Sequence, residues 1–333
     1  MRMTKRALTG IKPTGEPHLG NWLGAIQPAL ELAKEHETFY FIADYHALTS
    51  VHTAEEMRRH VRSIAAAYLA FGLDPEKSFF YRQSDIPEIF ELSWILSCFT
   101  PKGFMNRAHA YKDLVAKNLA EKHDPDDGVN MGLFGYPVLM SADILMFNAD
   151  VVPVGADQKQ HVEFARDIAE RFNKNYGETV FHLPEPRISD HVKTVVGLDG
   201  RKMSKSYDNT IPLFSDEKAL LKRINQIVTN SQAPEEPKEP DQSHIFALHR
   251  LLLSGSEEKD LRAKYQAGGM GWGMAKKLFF ECLNEKLKGP RTEYNRLLAE
   301  EGHIEAVLAK GKGRSRAEAG KLLAKVRELV GIQ

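Results

Sequence analysis

The sequence predicts an α/β fold, a doubly wound parallel sheet with helices on both faces, followed by a mainly helical region. Three observations predict it. Short β-branched and aromatic runs alternate with longer amphipathic ones from Arg6 to Ile188. Glycine- and proline-marked turns punctuate that alternation. Beyond Pro212 strand signals nearly vanish while helical periodicity continues to the end.

Arg6 to Ile11 reads as the first strand, and the Pro13–Gly15 turn delivers the chain to a helix over about Leu19 to Lys34. Pro28 should kink or split that helix, because it lacks a backbone donor. Thr38 to Ala43 is a buried strand. Thr53 and Glu56 form a capping box opening a helix that runs to Phe71, with Met57, Val61, Ile64, Ala65 and Tyr68 on one face. Gly72 ends it and Asp74-Pro75 prevents continuation. Ser78 to Arg82 is the next strand, and Pro87 sits in the first turn of a helix reaching Phe99. From Thr100 to about Asn130 the pattern loosens into a charged, mostly helical stretch. The alternation resumes with a helix at Tyr136–Phe147, a strand at Val151–Val154, a helix from Asp157 to Phe172 and a last strand at Phe181–Ile188. Gln232 to Asp241 is acidic and proline-rich, so an exposed loop is expected there. The glycine-rich run Gly268–Gly273 reads as a turn before a helix at Met274–Leu287.

Bulk composition narrows the function classes. The chain has 333 residues, with 42% hydrophobic and 27% charged residues and zero formal net charge, ordinary values for a globular protein. Neutrality argues against non-specific polyanion binding but leaves room for a local basic face. Cys98 and Cys282 are the only cysteines and have no CxxC or Cys/His spacing, which argues against a zinc site or disulfide framework and for a reducing compartment. The basic N-terminus is followed by no apolar signal core, and no run reaches transmembrane length. A cytoplasmic enzyme without a membrane partner is expected. His46 and His161 stand in no carboxylate-rich spacing, so no protein-held metal is expected either.

Three segments carry chemistry. Thr9-Gly10-Ile11-Lys12-Pro13-Thr14-Gly15 leaves a strand and reaches a helix start, where backbone N–H groups and the helix dipole favour an anion. His18 and Asn21, one turn apart, can both face a triphosphate. Lys202-Met203-Ser204-Lys205-Ser206 follows a glycine-bearing turn at Gly197–Arg201 that should make it mobile. Two lysines on a closing loop would supply positive charge to a phosphate group, although alone they read more readily as a solvated basic turn. Asp143 lies in an otherwise apolar helix with Met140 and Phe147 on its face, where a carboxylate is costly unless something donates to it.

Pro13–Asn21 and Lys202–Ser206, in this order, resemble the HIGH and KMSKS signatures of class I aminoacyl-tRNA synthetases. Tyr136–Leu145 and Val152–His161 resemble the corresponding segments of bacterial tryptophanyl-tRNA synthetases. The resemblance runs from Ala7 to the end, strongest over Leu8–Asn21, Phe41–Thr49, Gly135–Gly177 and Gly197–Asn209. It implies a Rossmann-like nucleotide-binding domain over 1–211, with an insertion at about 100–148, and a helical anticodon-binding domain with its tail over 212–333. It implies ATP as substrate with Mg²⁺ carried along, L-tryptophan and tRNA(Trp) as the other substrates, and a homodimer. It places His18, Asn21, Lys202 and Lys205 among the catalytic groups. Lys12, Pro13, Thr14, Gly20, Asn21, Gly155, Ala156, Asp157 and Val195 fall on ATP-contacting positions, with Lys202, Met203, Ser204, Lys205 and Ser206. Asp143 would accept the indole N–H beside Met140, Tyr136 and Gln158 would hold the substrate ammonium, and His46 would line the same pocket. Lys12 departs from the glutamine common among bacterial members, and the insertion segment Asn106–Lys112 departs from the commoner basic one.

Tyrosyl-tRNA synthetases share fold and signatures. Asp143 with Met140, and no obvious polar set for a phenol, weigh against them. A paralogue that no longer charges tRNA is disfavoured by intact His18, Asn21, Lys202 and Lys205. The tail carries Lys310, Lys312, Arg314, Arg316, Lys321, Lys325 and Arg327; such a run is usually a solvated face, and in this family context it suggests contact with tRNA phosphates.

Overall fold

The computed structural model describes residues 4–155, 158–188, 195–300 and 302–332. Its centre is a five-stranded parallel sheet, β1 (Arg6–Ile11), β2 (Glu37–Ile42), β3 (Phe79–Arg82), β4 (Val151–Val154) and β5 (Glu185–Ile188), in the order β3-β2-β1-β4-β5. The order reverses between β1 and β4, and a crevice opens there at the carboxyl ends of the strands. Strand periodicity sorts the core. Phe39, Phe41, Phe79 and Tyr81 point into one buried cluster, whereas Tyr40, Ile42 and Phe80 point into the other.

The first helix divides as Pro28 requires. α1 (Leu19–Asn21) passes into a π-helical stretch at Trp22–Ile26, in which the N–H of Gln27 reaches the carbonyl of Trp22, and then into α2 (Gln27–Leu32). The wider turn sits just ahead of the missing donor. α3 (Asp44–Ala47) follows β2, and α4 (Ala54–Ala70) begins at the Thr53 cap, whose hydroxyl accepts the Glu56 N–H at 3.3 Å. α5 (Pro87–Cys98), α6 (Lys102–Met105) and α7 (His109–Ala120) follow β3.

α8 (Met131–Met146) starts a turn earlier than expected, because Asn130 Oδ1 caps it by accepting the Leu133 N–H at 2.8 Å. α9 (Lys159–Tyr176) also runs longer, ending at Gly177 with φ +67°. The expected strand at Phe181–Ile188 is half that length. The side chain of Asn173 accepts the N–H groups of Val180 and Phe181, each at 3.0 Å, and donates to the Phe181 carbonyl at 2.8 Å. Those backbone groups are therefore bonded outside the sheet, and Phe181 is buried in the core without joining it.

α10 (Glu217–Asn225), α11 (His244–His249), α12 (Gly255–Gln266) and α13 (Trp272–Ala299) enclose a separate apolar cluster that also holds Leu19, Val195 and Met203. The proline-rich loop is not wholly exposed: Lys238 is 2% exposed, its ammonium donating to the carbonyls of Ala233 at 3.0 Å and Glu236 at 3.2 Å. α14 (His303–Val330) returns to the sheet, where Ala319, Leu323 and Val326 pack in one cluster with Leu8 and Phe39. The basic residues of the tail are largely engaged there. Arg314 donates to the carbonyls of Pro75, Glu76 and Ser78 and lies over the Phe79 ring; Arg316 pairs with Glu88, Lys310 with Glu76, Lys325 with Glu178 and Arg327 with Glu91. Lys310, Lys312, Arg316, Lys321, Lys325 and Arg327 keep 42–71% of their side chains exposed, so the run is a solvated face laced with ion pairs and anchored by Arg314.

Candidate active site

The crevice at the β1/β4 reversal holds a cavity of about 470 Å³, lined by Thr9 to Lys12 from the end of β1 and by Val152 to Gly155 from the end of β4. α8 contributes Tyr136, Met140 and Asp143, α3 contributes His46, and Gln158 closes the rim, so five residues expected to bind amino acid meet here. Lys12 lines the same cavity, and burial lowers its ammonium pKa.

Asp143 is fully buried. Its Oδ2 lies 2.9 Å from His46 Nε2, and Gln83 Nε2 donates to both carboxylate oxygens at 2.9 Å. Burial pushes the carboxyl pKa up, and the contacts to His46 and Gln83 work against that push. The carboxylate is thus paired within the apolar slot, where sequence reasoning had found no donor for it. Tyr136 places its hydroxyl 2.7 Å from His161 Nε2, and burial raises its phenol pKa.

The His18 and Lys205 segments face each other across the same edge of the sheet. Chain pairing joins them: Leu19 N–H donates to the Ile211 carbonyl at 2.8 Å, and His18 bridges to Pro212. Gly20 N–H donates to the Met203 sulfur at 3.3 Å. Lys205 crosses over Gly15, which has φ +140°; a Cβ there would stand 2.9 Å from the Lys205 ammonium. Desolvation lowers the pKa of that ammonium to about 8, with Glu16 opposing. Burial, and then the Lys205 charge, lower His18 to about 4, so its imidazole is neutral at physiological pH. Asn21 turns back to accept the His18 N–H at 3.0 Å. Pro13 is buried and Thr14 exposed in the intervening turn, where Thr14 N–H donates to the Lys12 carbonyl.

The lysine loop is a short hairpin, with Val196 bridged to Lys202 and Met203 N–H donating to the Val195 carbonyl at 2.8 Å. Asn209 pins it: its Oδ1 accepts the Ser204 N–H at 2.8 Å, while its Nδ2 donates to Asp199 at 2.7 Å and to the Lys202 carbonyl at 3.2 Å. The Asn209 and Arg201 contacts hold Asp199 down at about 2. Lys202 presents an exposed side chain, and Ser204 and Ser206 share a hydroxyl contact at 2.8 Å. Val195 stands apart from the amino-acid pocket, in an adjoining cavity of about 600 Å³ beside Leu23, Pro153 and Arg187. Ala156 and Asp157 lie outside the described residues.

Two polar residues escaped sequence reasoning. Gln83 closes β3 at the carboxyl end of the sheet, a position that itself points to ligands. Asn209 follows the lysine loop, and no spacing rule marks it. Among the described residues no group of three or more His, Cys, Asp or Glu is arranged to hold a metal, and no helix is long and apolar enough to cross a membrane.

A crevice at a topological switch point, a glycine-bearing turn into a helix and a lysine hairpin folded over that turn define a phosphate-handling α/β protein. Residues 3–288 match the family described as tRNA synthetases class I (W and Y), and the chain belongs to it. Among its relatives, the tryptophan–tRNA ligase of Neisseria meningitidis is 52% identical over 99% of this chain and 98% of its own length. That of Pseudomonas aeruginosa is 51% identical over 99% of this chain and 75% of its own. The structure of tryptophanyl-tRNA synthetase from Campylobacter jejuni complexed with ADP and tryptophan superposes with a TM-score of 0.87 at 45% identity, covering 98% of this chain and 100% of that one.

Proposed function

We propose that the chain is a tryptophan–tRNA ligase, activating L-tryptophan with ATP and transferring it to tRNA(Trp). The observation that carries the choice of amino acid is Asp143, a fully buried acceptor in a largely apolar pocket. A phenyl side chain would leave such a carboxylate without the donor it can accept, and rejecting that kind of analogue needs no editing site.

The tryptophan carboxylate attacks the α-phosphate of ATP in line, forming tryptophanyl-adenylate and releasing pyrophosphate. The acyl group then passes to the terminal ribose of the tRNA. Orientation and charge do the catalysis, with no protein nucleophile. Tyr136 and Gln158 hold the substrate ammonium beside Asp143, Met140 packs on the indole, and His46 steadies the carboxylate. Lys12, Pro13, Thr14, Gly20 and Asn21 carry the phosphates with neutral His18. Gly155, Ala156 and Asp157 take the ribose, and Val195 packs on adenine. Lys202 and Lys205, with Met203, Ser204 and Ser206, close on the departing pyrophosphate. Mg²⁺ enters as part of the nucleotide substrate.

Residues 1–211 carry this chemistry and 212–333 recognise the tRNA. The protein works in the cytoplasm as a homodimer. The apolar surface around Tyr45, Leu48, Phe90 and Trp94, the last 73% exposed, supports a self-association face, with the Tyr45 and Phe90 rings 4.2 Å apart. ATP–pyrophosphate exchange tests the reading. It should depend on tryptophan and not on tyrosine, and charging should require tRNA(Trp); exchange driven by tyrosine would overturn it.

A further inference from the structure

Gln83 occupies a position that its own chain does not explain. It is fully buried in the turn that ends β3, behind His46 and Asp143, which line the amino-acid pocket. Both ends of its amide are committed. Oε1 accepts the backbone N–H of His46 at 3.3 Å, and Nε2 donates to both oxygens of Asp143 at 2.9 Å. The His46 ring completes a closed triangle by meeting Asp143 Oδ2 at 2.9 Å. Because His46 N–H is a fixed donor, the Gln83 amide has one orientation that satisfies it, and that orientation aims the NH₂ group at the carboxylate.

The consequence concerns the capacity that remains. An ionised carboxylate offers about four acceptor sites. Among the described residues Oδ2 carries two donors, Gln83 and His46, whereas Oδ1 carries Gln83 alone. We propose that Gln83 is the positioning residue of this pocket, holding the Asp143 carboxylate ionised and turned so that Oδ1 is left for the substrate indole N–H. The inference rests on the reading of Asp143 as the indole acceptor and deepens it. An apolar slot would otherwise favour the neutral carboxylic acid, which presents a hydroxyl donor where an acceptor is needed. The titratable groups facing Asp143 are His46 and Asp44 from α3 and Tyr81 from β3. Gln83 is the uncharged member of the set, so its donation is independent of pH.

The full-length enzyme tests this through the tryptophan KM in ATP–pyrophosphate exchange between pH 6 and 9, with the ATP KM and the thermal midpoint measured alongside. Gln83→Met keeps much of the volume and removes the donor. It should raise the tryptophan KM roughly 10- to 100-fold, with the ATP KM near the parent value. That defect should deepen as pH falls, because a carboxyl without its donor keeps a proton to higher pH. Gln83→Glu should show the opposite slope relative to the parent: weak at pH 9, where two carboxylates repel, and recovering as one shared proton restores an O–H donor. A merely space-filling glutamine would leave the slope of the pH profile unchanged in Gln83→Met, and a Gln83→Glu profile parallel to the parent's overturns the proposal even if Gln83→Met does not fold. Asp143→Ala separates the two layers. If it still discriminates tryptophan from the benzothiophene analogue, the indole reading itself fails. If it loses discrimination while both Gln83 variants keep the parent profile, only the role of Gln83 fails.

Discussion

Gly311→Ala should unseat the last helix. A Cβ at this position would stand 1.7 Å from the carbonyl oxygen of Phe80 and 2.6 Å from its carbon. Phe80 lies inside β3 with its backbone fixed in the ladder to β2, so the strand cannot yield. Ordinary contact therefore requires α14 to retreat by roughly 1.7 Å, on a face where Leu308, Ser315 and Ala319 are fully buried. Overpacking costs about 1–3 kcal/mol, and this clash against backbone belongs at the upper end. The shift also stretches the contacts from Arg314 to the carbonyls of Pro75, Glu76 and Ser78, now 2.9, 3.2 and 3.0 Å, worth about 1.5–3 kcal/mol together as hydrogen bonds to a charged group. Exchanging glycine for alanine in a helix returns about 1 kcal/mol. The expected net destabilisation is about 2 kcal/mol if the Arg314 contacts survive the shift and up to about 5 kcal/mol if they are lost. Gly313→Ala is the matched control, since nothing lies within 4 Å of its Cβ, and it should be neutral or stabilising by up to about 1 kcal/mol. Urea unfolding at constant m-value, or the thermal midpoint where unfolding is irreversible, measures both. Equal stabilities for the two variants would refute the close docking of α14 on β3.

Two further outcomes follow from the lysine hairpin and from the tail. Lys205, with its pKa lowered to about 8, loses its charge as pH rises through that value in the free enzyme, so single-turnover adenylation at low ATP should decline there; Lys205→Ala should be slower by about 2–4 kcal/mol of transition-state stabilisation and lack that limb. The sign for stability is opposite: the unfolded lysine stays protonated up to 10.5, so between about 8 and 10.5 the folded state gains stability as pH rises. An unchanged rate and profile in Lys205→Ala would make the hairpin merely structural. Neutralising Arg314, Arg316 and Lys321 together should lower the thermal midpoint through loss of the Arg314 carbonyl contacts, whereas the Arg316–Glu88 and Lys321–Glu318 pairs are exposed and contribute little. Any rise in the KM for tRNA should then vanish when the assay is run well below that midpoint; a salt-sensitive KM defect that persists there would return the tail to tRNA phosphates.

Strands and turns were legible wherever a local rule decides. Arg6–Ile11, the Thr53 cap and the proline-split helix at Pro28 follow from pattern, capping and a missing donor, each contained within a few residues. The misses share a cause of another kind. Asn173 draws the backbone of Val180 and Phe181 away from the sheet, and Asn130 extends α8 upstream, because short polar side chains compete locally with the regular ladders. A periodicity argument sees neither. The tail's ion pairs were illegible for a further reason: its lysines and arginines have the helical spacing of a solvated face, which they form, but their partners Glu76, Glu88 and Glu91 lie more than two hundred residues upstream. Gly311, the residue that lets the helix approach, looks in sequence like any helix-weakening glycine.

The candidate site divides along the same line. Residues meeting substrate atoms must have particular chemistry at particular chain positions, so lysines on a glycine-flanked loop and an aspartate in an apolar helix stand out before any fold is known. Residues that orient them need only the right geometry. Gln83 reaches Asp143 across sixty positions, and Asn209 braces Lys202 and Ser204 from just beyond the loop, with ordinary amide side chains that many surface turns also carry. Their burial is what separates them from such residues. A polar amide is fully buried only where every donor and acceptor finds a partner, and at Gln83 those partners are one pocket residue's backbone and another's carboxylate. Substitution there should consequently alter amino-acid recognition before it alters the fold, the reverse of what Gly311 predicts a few residues earlier against the same strand.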